Sequence, residues 1–136
     1  MDVFGKLLRG AARERSARLA ARVAVELRVR LRVGSDGEMQ SVLLADLSVG
    51  GARITTPLRI NRSRQLMLVI DTDGEPPIVL PCRIASIRRR RGDLHIDYGL
   101  AFDRLRPAGA DRVRRLVEKF QTIRAGNAAF SAAHGR

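Results

Sequence analysis

The chain has 136 residues, 26 of them Lys or Arg and 14 Asp or Glu, for a formal charge of +12. Length and a 45% hydrophobic content fit one globular domain with a single core and argue against wholesale disorder. No apolar run approaches the roughly 18 residues of a spanning helix, the N-terminus MDVFGKLLRG lacks a secretory signal, and one cysteine, Cys82, excludes a disulfide framework or a clustered-thiolate zinc site. A cytoplasmic location is expected.

Residues 1–17 place Phe4, Leu7, Leu8, Ala11 and Ala12 at helical spacing among basic residues, which predicts a partly helical basic arm. From Arg22 the period changes to two. Val23, Val25, Leu27, Val29, Leu31 and Val33 alternate with mostly polar residues, the pattern of a half-buried strand. Gly34-Ser-Asp-Gly37 reads as a hairpin turn, and a return strand is expected over about 39–46. The loop Asp46-Leu-Ser-Val-Gly-Gly51 follows, then a short strand near Ala52–Thr55 and an apolar run Gln65–Asp71.

Asp73-Gly-Glu-Pro-Pro77 predicts a turn. Ile78–Ile87 reads as a strand in which Pro81 suggests an edge or a bulge. Arg88–Arg91, Gly92 and Asp93 form a basic hairpin tip. The last strand is expected to align Leu94, Ile96, Tyr98, Leu100 and Phe102 on one face, with His95 and Asp97 on the other. After Pro107, Val113, Leu116, Val117 and Phe120 make one helical stripe, which predicts a helix over 107–124 and a flexible tail over 125–136. Six or seven short strands and a terminal helix describe a mainly β protein, a small antiparallel barrel with a helical lid.

Catalytic groups are sparse. The only histidines are His95 and His134, Cys82 lies in an apolar strand, and no nucleophile elbow or H-x-x-x-H pair is present. Neither an enzyme nor a metal protein is expected. The acidic turn at Asp71, Asp73 and Glu75 is too short and proline-rich for a calcium loop.

The loop at Asp46 is a better candidate. An ionised Asp only accepts hydrogen bonds, and guanine offers matching donors. Ser48 can donate to a phosphate or a base, and Gly50 and Gly51 allow positive φ and close backbone approach. The competing reading is a turn in which Asp46 and Ser48 satisfy their own backbone. Basic residues are nearly all Arg, 24 of 26, and an Arg fork suits phosphate and guanine. Arg-x-x-x-Arg pairs alone carry little weight: three occur where chance predicts roughly four. Arg18/Arg22 differs from the others in lying between the basic arm and the first strand.

Arg18-Leu-Ala-Ala-Arg22, followed after 23 residues by Asp46-x-Ser48-x-x-Gly51, resembles the signature of the PilZ domain family of bacterial cyclic-di-GMP receptors. Tyr98-Gly-Leu-Ala-Phe102 is similar to that family's closing strand. The resemblance covers about residues 15–106 and implies a six-stranded barrel over 18–106 with a C-terminal helix. It implies cyclic-di-GMP as ligand, with no further cofactor. Arg18 and Arg22 would grip phosphates and guanine, Asp46 and Ser48 would bind guanine and phosphate, and Gly51 would make room. Arg53, or an Arg of the 88–91 tip, would stack on a base in place of the missing Trp. Ala17 stands where many members carry a basic residue, which leaves open one ligand or a stacked pair.

On this reading, ligand binding orders the arm over the barrel and changes a surface read by a downstream protein in motility, exopolysaccharide or biofilm control. Two alternatives stay open. One is a basic barrel binding RNA or DNA through Arg28, Arg30, Arg32 and Arg88–Arg91, against which stands the lack of interleaved aromatics. The other is a PilZ-like interaction module without a ligand.

Overall fold

The computed structural model describes residues 22–89 and 91–134; the basic arm, with Arg18, lies outside the described residues. Six strands, β1 (Val23–Val33), β2 (Gln40–Leu47), β3 (Gly51–Thr56), β4 (Leu66–Ile70), β5 (Ile78–Arg89) and β6 (Ile96–Phe102), precede one helix, α1 (Pro107–His134). The strands close into an antiparallel barrel in the order β1-β2-β3-β6-β5-β4. Alternation in β1 buries Val23, Val25, Val29 and Leu31 and turns Ala24, Glu26 and Arg28 outward. With Leu44, Leu47, Ile54, Leu66, Leu68, Ile70 and Leu80 they fill the interior.

Closure changes the meaning of Pro81. It lies at no bulge, but it has a strand partner on the β4 side alone and stands just past the end of the β6 ladder, locally an edge. Ile78–Cys82 of β5 pair with β4, and Cys82–Arg89 pair with β6. Pro81 stands at this handover, where its missing N–H costs little, and its carbonyl accepts from the Asp103 N–H at 2.8 Å. The irregularity of β5 falls between Ile84 and Ser86 instead.

Two other expectations need correction. Leu94 precedes β6 and is 85% exposed, and His95 lies in the loop with its backbone N–H on Asp93 Oδ1. Asp97 is buried and accepts from Thr55 Oγ1 at 2.8 Å, so a polar pair sits where simple alternation predicts solvent. The helix, expected to end at 124, runs on through 125–134. Ala125, Ala128, Ala129, Ala132 and Ala133 supply the propensity that carries it past Gly126.

The expected stripe holds. Val113 and Val117 are buried in the barrel's core, and Leu116 and Phe120 pack on it. Arg112 ties the helix to the β4–β5 turn through the carbonyls of Pro76 and Pro77, Thr72 Oγ1 and Glu75. Tyr98 holds the opposite end. Its hydroxyl donates to the Leu58 carbonyl at 2.7 Å and accepts from the Ile60 N–H at 3.0 Å, fixing the β3–β4 loop across the barrel.

Candidate functional site

Asp46 owes its position to two neighbouring irregularities. The β1–β2 register shifts between Ala24 and Leu27, and the β2–β3 register between Leu44 and Asp46. The extra residue, Ala45, lets both Leu44 and Leu47 reach the core although they are three apart. Asp46 is thereby left on the outer wall. Its strand partners are Ala24, which offers only a methyl group, and Arg53. Asp46 Oδ2 and Arg53 Nη2 form an ion pair at 3.1 Å.

The ladder extends this pair into a row. Ala24, Asp46, Arg53, Gly99 and Ser86 are successive cross-strand neighbours over β1, β2, β3, β6 and β5. A buried carboxylate, paired with a half-exposed fork of donors, thus stands among otherwise small side chains. Such a surface suits a flat group with donors on one edge and acceptors on the next. Sequence reasoning found Asp46 and Arg53 but missed Ala24, Gly99 and Ser86, because nothing in the chain announces cross-strand register.

The same register brings one residue of the first motif, Arg22, beside the second. Val23 pairs with Leu47, so Arg22, the exposed residue just before β1, comes level with Ser48. Arg18 lies outside the described residues.

The loop divides the two readings left open by the sequence. Ser48 satisfies its own turn: its Oγ donates to the Gly51 carbonyl at 3.1 Å and accepts from the Gly51 N–H at 3.2 Å, and its N–H donates to the same carbonyl at 2.8 Å. Asp46 pairs with a side chain instead. Neither Gly50 nor Gly51 uses the positive φ expected of them. Gly51 is required by close approach, since a Cβ there would lie 2.2 Å from the Leu100 carbonyl oxygen on β6. Gly50 faces open space, and its carbonyl accepts from the Phe102 N–H.

The 88–91 tip does not belong to this site. Gly51 pairs with Ala101 at the site's end of the β3–β6 ladder, and Thr56 pairs with Ile96 at the other. Five residues of strand, about 17 Å, separate those ends. The arginine row on β1 is also not uniformly open: Arg30 is held by Asp71 at 2.7 Å, and Arg32 lies against the sulfur of Met67. Cys82 is fully buried, and its thiol is pushed up to about 12, first by burial and then by the charge of Asp103. No group of metal-ligating side chains occurs among the described residues, nor does any described helix have the length and apolarity to cross a membrane.

Fold and site together define a small closed barrel, capped by a helix, whose polar row lies on the outer wall beside the start of the first strand. A family model for the PilZ domain matches residues 12–119, and the chain belongs to that family. Among solved structures it is similar to the PilZ domain of CeSA from a cellulose-synthesizing bacterium, at 24% identity and a TM-score of 0.56, covering 74% of this chain and 98% of that one. It is also similar to the PilZ domain of Escherichia coli YcgR with c-di-GMP, at 14% identity and a TM-score of 0.64, covering 80% and 95%. PlzA from Borreliella burgdorferi in complex with c-di-GMP matches at 18% identity and a TM-score of 0.54, covering 85% of this chain and 45% of that one. No curated protein matches the chain.

Proposed function

We propose that this protein is a cyclic-di-GMP receptor without catalytic activity, acting in the cytoplasm on a downstream protein. The observation that carries the reading is the β1–β2 register, which brings Arg22 level with Ser48 and beside the Asp46–Arg53 pair. Asp46 accepts from the N1–H and exocyclic amine of a guanine laid on the Ala24–Gly99 row, and Arg53 lies over or beside the base. Arg22, with Arg18 from the arm, meets the phosphates and the guanine O6/N7 edge, where a bidentate Arg contact discriminates by about 1–3 kcal/mol. Ser48 and Gly51 hold the loop beside this row, and Gly50, open on its outer side, lets the ligand approach the backbone.

Family membership supports the reading, as do the two c-di-GMP complexes among the similar structures. In this proposal ligand binding orders the N-terminal Arg motif over the barrel, at a cost of about 1–2 kcal/mol per residue fixed. The changed surface acts in motility, exopolysaccharide or biofilm control.

Calorimetric titration of the full chain with cyclic-di-GMP tests this. Binding is expected, with Arg22→Ala and Asp46→Ala each weakening it at least tenfold. Absence of heat at about 0.1 mM ligand, a level that reveals micromolar affinity, overturns the proposal.

A further inference from the structure

The end of the barrel opposite the candidate site carries a second cationic surface. Arg88 and Arg89 end β5, Arg91 enters the turn, and Gly92, at φ +79°, closes it. All three arginines are exposed; the acidic groups of the same hairpin are Asp93 and Asp97, and Asp97 is the strand partner of Arg88. Arg59 joins them. The β3–β4 loop leaves β3 at Thr56, the strand partner of Ile96. Tyr98 fixes the residues on either side of Arg59, Leu58 and Ile60, and Ile60 is buried. The intervening side chain is therefore held outward on a rigid base. Leu94 stands in the same hairpin and is 85% exposed, more than any other large apolar residue described.

We infer that this hairpin tip, with Arg59, is a docking surface for an anionic lipid bilayer. The combination of side chains selects the partner. The exposed arginines Arg59, Arg88, Arg89 and Arg91 outnumber Asp93 and Asp97, and such a cationic excess is attracted to a layer of phosphate headgroups, an attraction that falls with salt. A protruding leucine gains nothing from a nucleic-acid backbone, but it is removed from water when it enters the headgroup–acyl boundary. The described aromatic side chain at this end, Tyr98, is buried and engaged with the loop, so no base-stacking platform accompanies the arginines. Asp36 and Glu38 on the β1–β2 turn are exposed at the same end and tilt the contact toward the β5–β6 side. Docked tip-first, the barrel holds the Asp46–Arg53 row away from the membrane. This inference does not depend on the ligand proposed above.

Sedimentation of the full chain with vesicles tests it. Mixed phosphatidylcholine–phosphatidylglycerol vesicles are expected to carry the protein down, and pure phosphatidylcholine vesicles are not. Arg88→Glu with Arg89→Glu should lower partitioning more than about twentyfold at low salt. A charge-matched control, Arg28→Glu with Lys119→Glu, should lower it less than about threefold, because those side chains point elsewhere. Leu94→Ser, which leaves the charge intact, should lower it about fivefold. All these side chains are exposed, and circular dichroism confirms that each variant is folded. Failure to bind the mixed vesicles overturns the inference, as does equal loss from the tip and control variants or unchanged binding by Leu94→Ser. A duplex DNA that binds through the same arginines and displaces the vesicles reassigns the surface to nucleic acid.

Discussion

Asp46 and Arg53 face each other across β2 and β3 as an unequally buried ion pair, the carboxylate 11% exposed and the guanidinium 44%. The desolvated partner therefore depends on the solvated one. Arg53→Ala leaves a nearly buried carboxylate without its counter-charge and is expected to cost about 1–2 kcal/mol, less than a fully buried pair because the arginine is wet. Asp46→Asn keeps shape and an acceptor, and should cost less than about 1 kcal/mol. Urea denaturation of both variants measures the difference, and a larger loss from Asp46→Asn would contradict this account.

The two adjacent glycines should behave differently. In Gly51→Ala the new methyl meets the Leu100 carbonyl oxygen, a backbone atom that cannot move without disturbing the β3–β6 ladder. A destabilisation of about 1–3 kcal/mol is expected. Gly50→Ala meets nothing within 4 Å and should leave the melting temperature within about a degree or two, equivalent to a few tenths of a kcal/mol. Thermal melts of the pair provide the comparison.

Tyr98→Phe removes one hydroxyl and two hydrogen bonds to the β3–β4 loop, leaving the Ile60 N–H buried without its partner. The expected loss is about 1–3 kcal/mol. Hydrogen exchange should report it at the Ile60 amide, which loses protection ahead of the strands.

Cys82 should resist thiol reagents at neutral pH in the folded chain and react stoichiometrically in denaturant. Its thiol is raised from an ordinary 9.0 to about 12. The folded state therefore holds the proton more tightly than the unfolded state does. Its contribution is complete below about pH 9 and is lost as pH rises toward about 12, so stability declines across that alkaline window. Cys82→Ala, compared with the parent between those limits, should show a flatter pH dependence.

Much of this protein was legible in its residues. Alternation from Val23 to Val33 made β1 unmistakable because a half-buried strand leaves one face in the core and one in water. The turns at Gly34, Gly74 and Gly92 were marked by glycines that do adopt positive φ. The stripe of Val113, Val117 and Phe120 announced the capping helix. Helix length was less legible, since the alanines beyond residue 124 favour helix through their own backbone preference and show no apolar periodicity. Pro81 marked a position without a partner strand on one side, but not that barrel closure would supply that partner from the next residue on.

The sequence by itself determined the inventory: a basic chain, one barrel, a helix, and two short motifs separated by 23 residues. Register was decided only in three dimensions. The extra residue at Ala45 put Leu47 into the core and Asp46 on the wall, and barrel closure set Gly99 and Ser86 in the same row. Closure also sent Arg88, Arg89 and Arg91 to the far end. Side-chain period specifies which face of a strand is apolar, whereas pairing between distant strands depends on bulges and closure that optimise the packing of the whole interior at once.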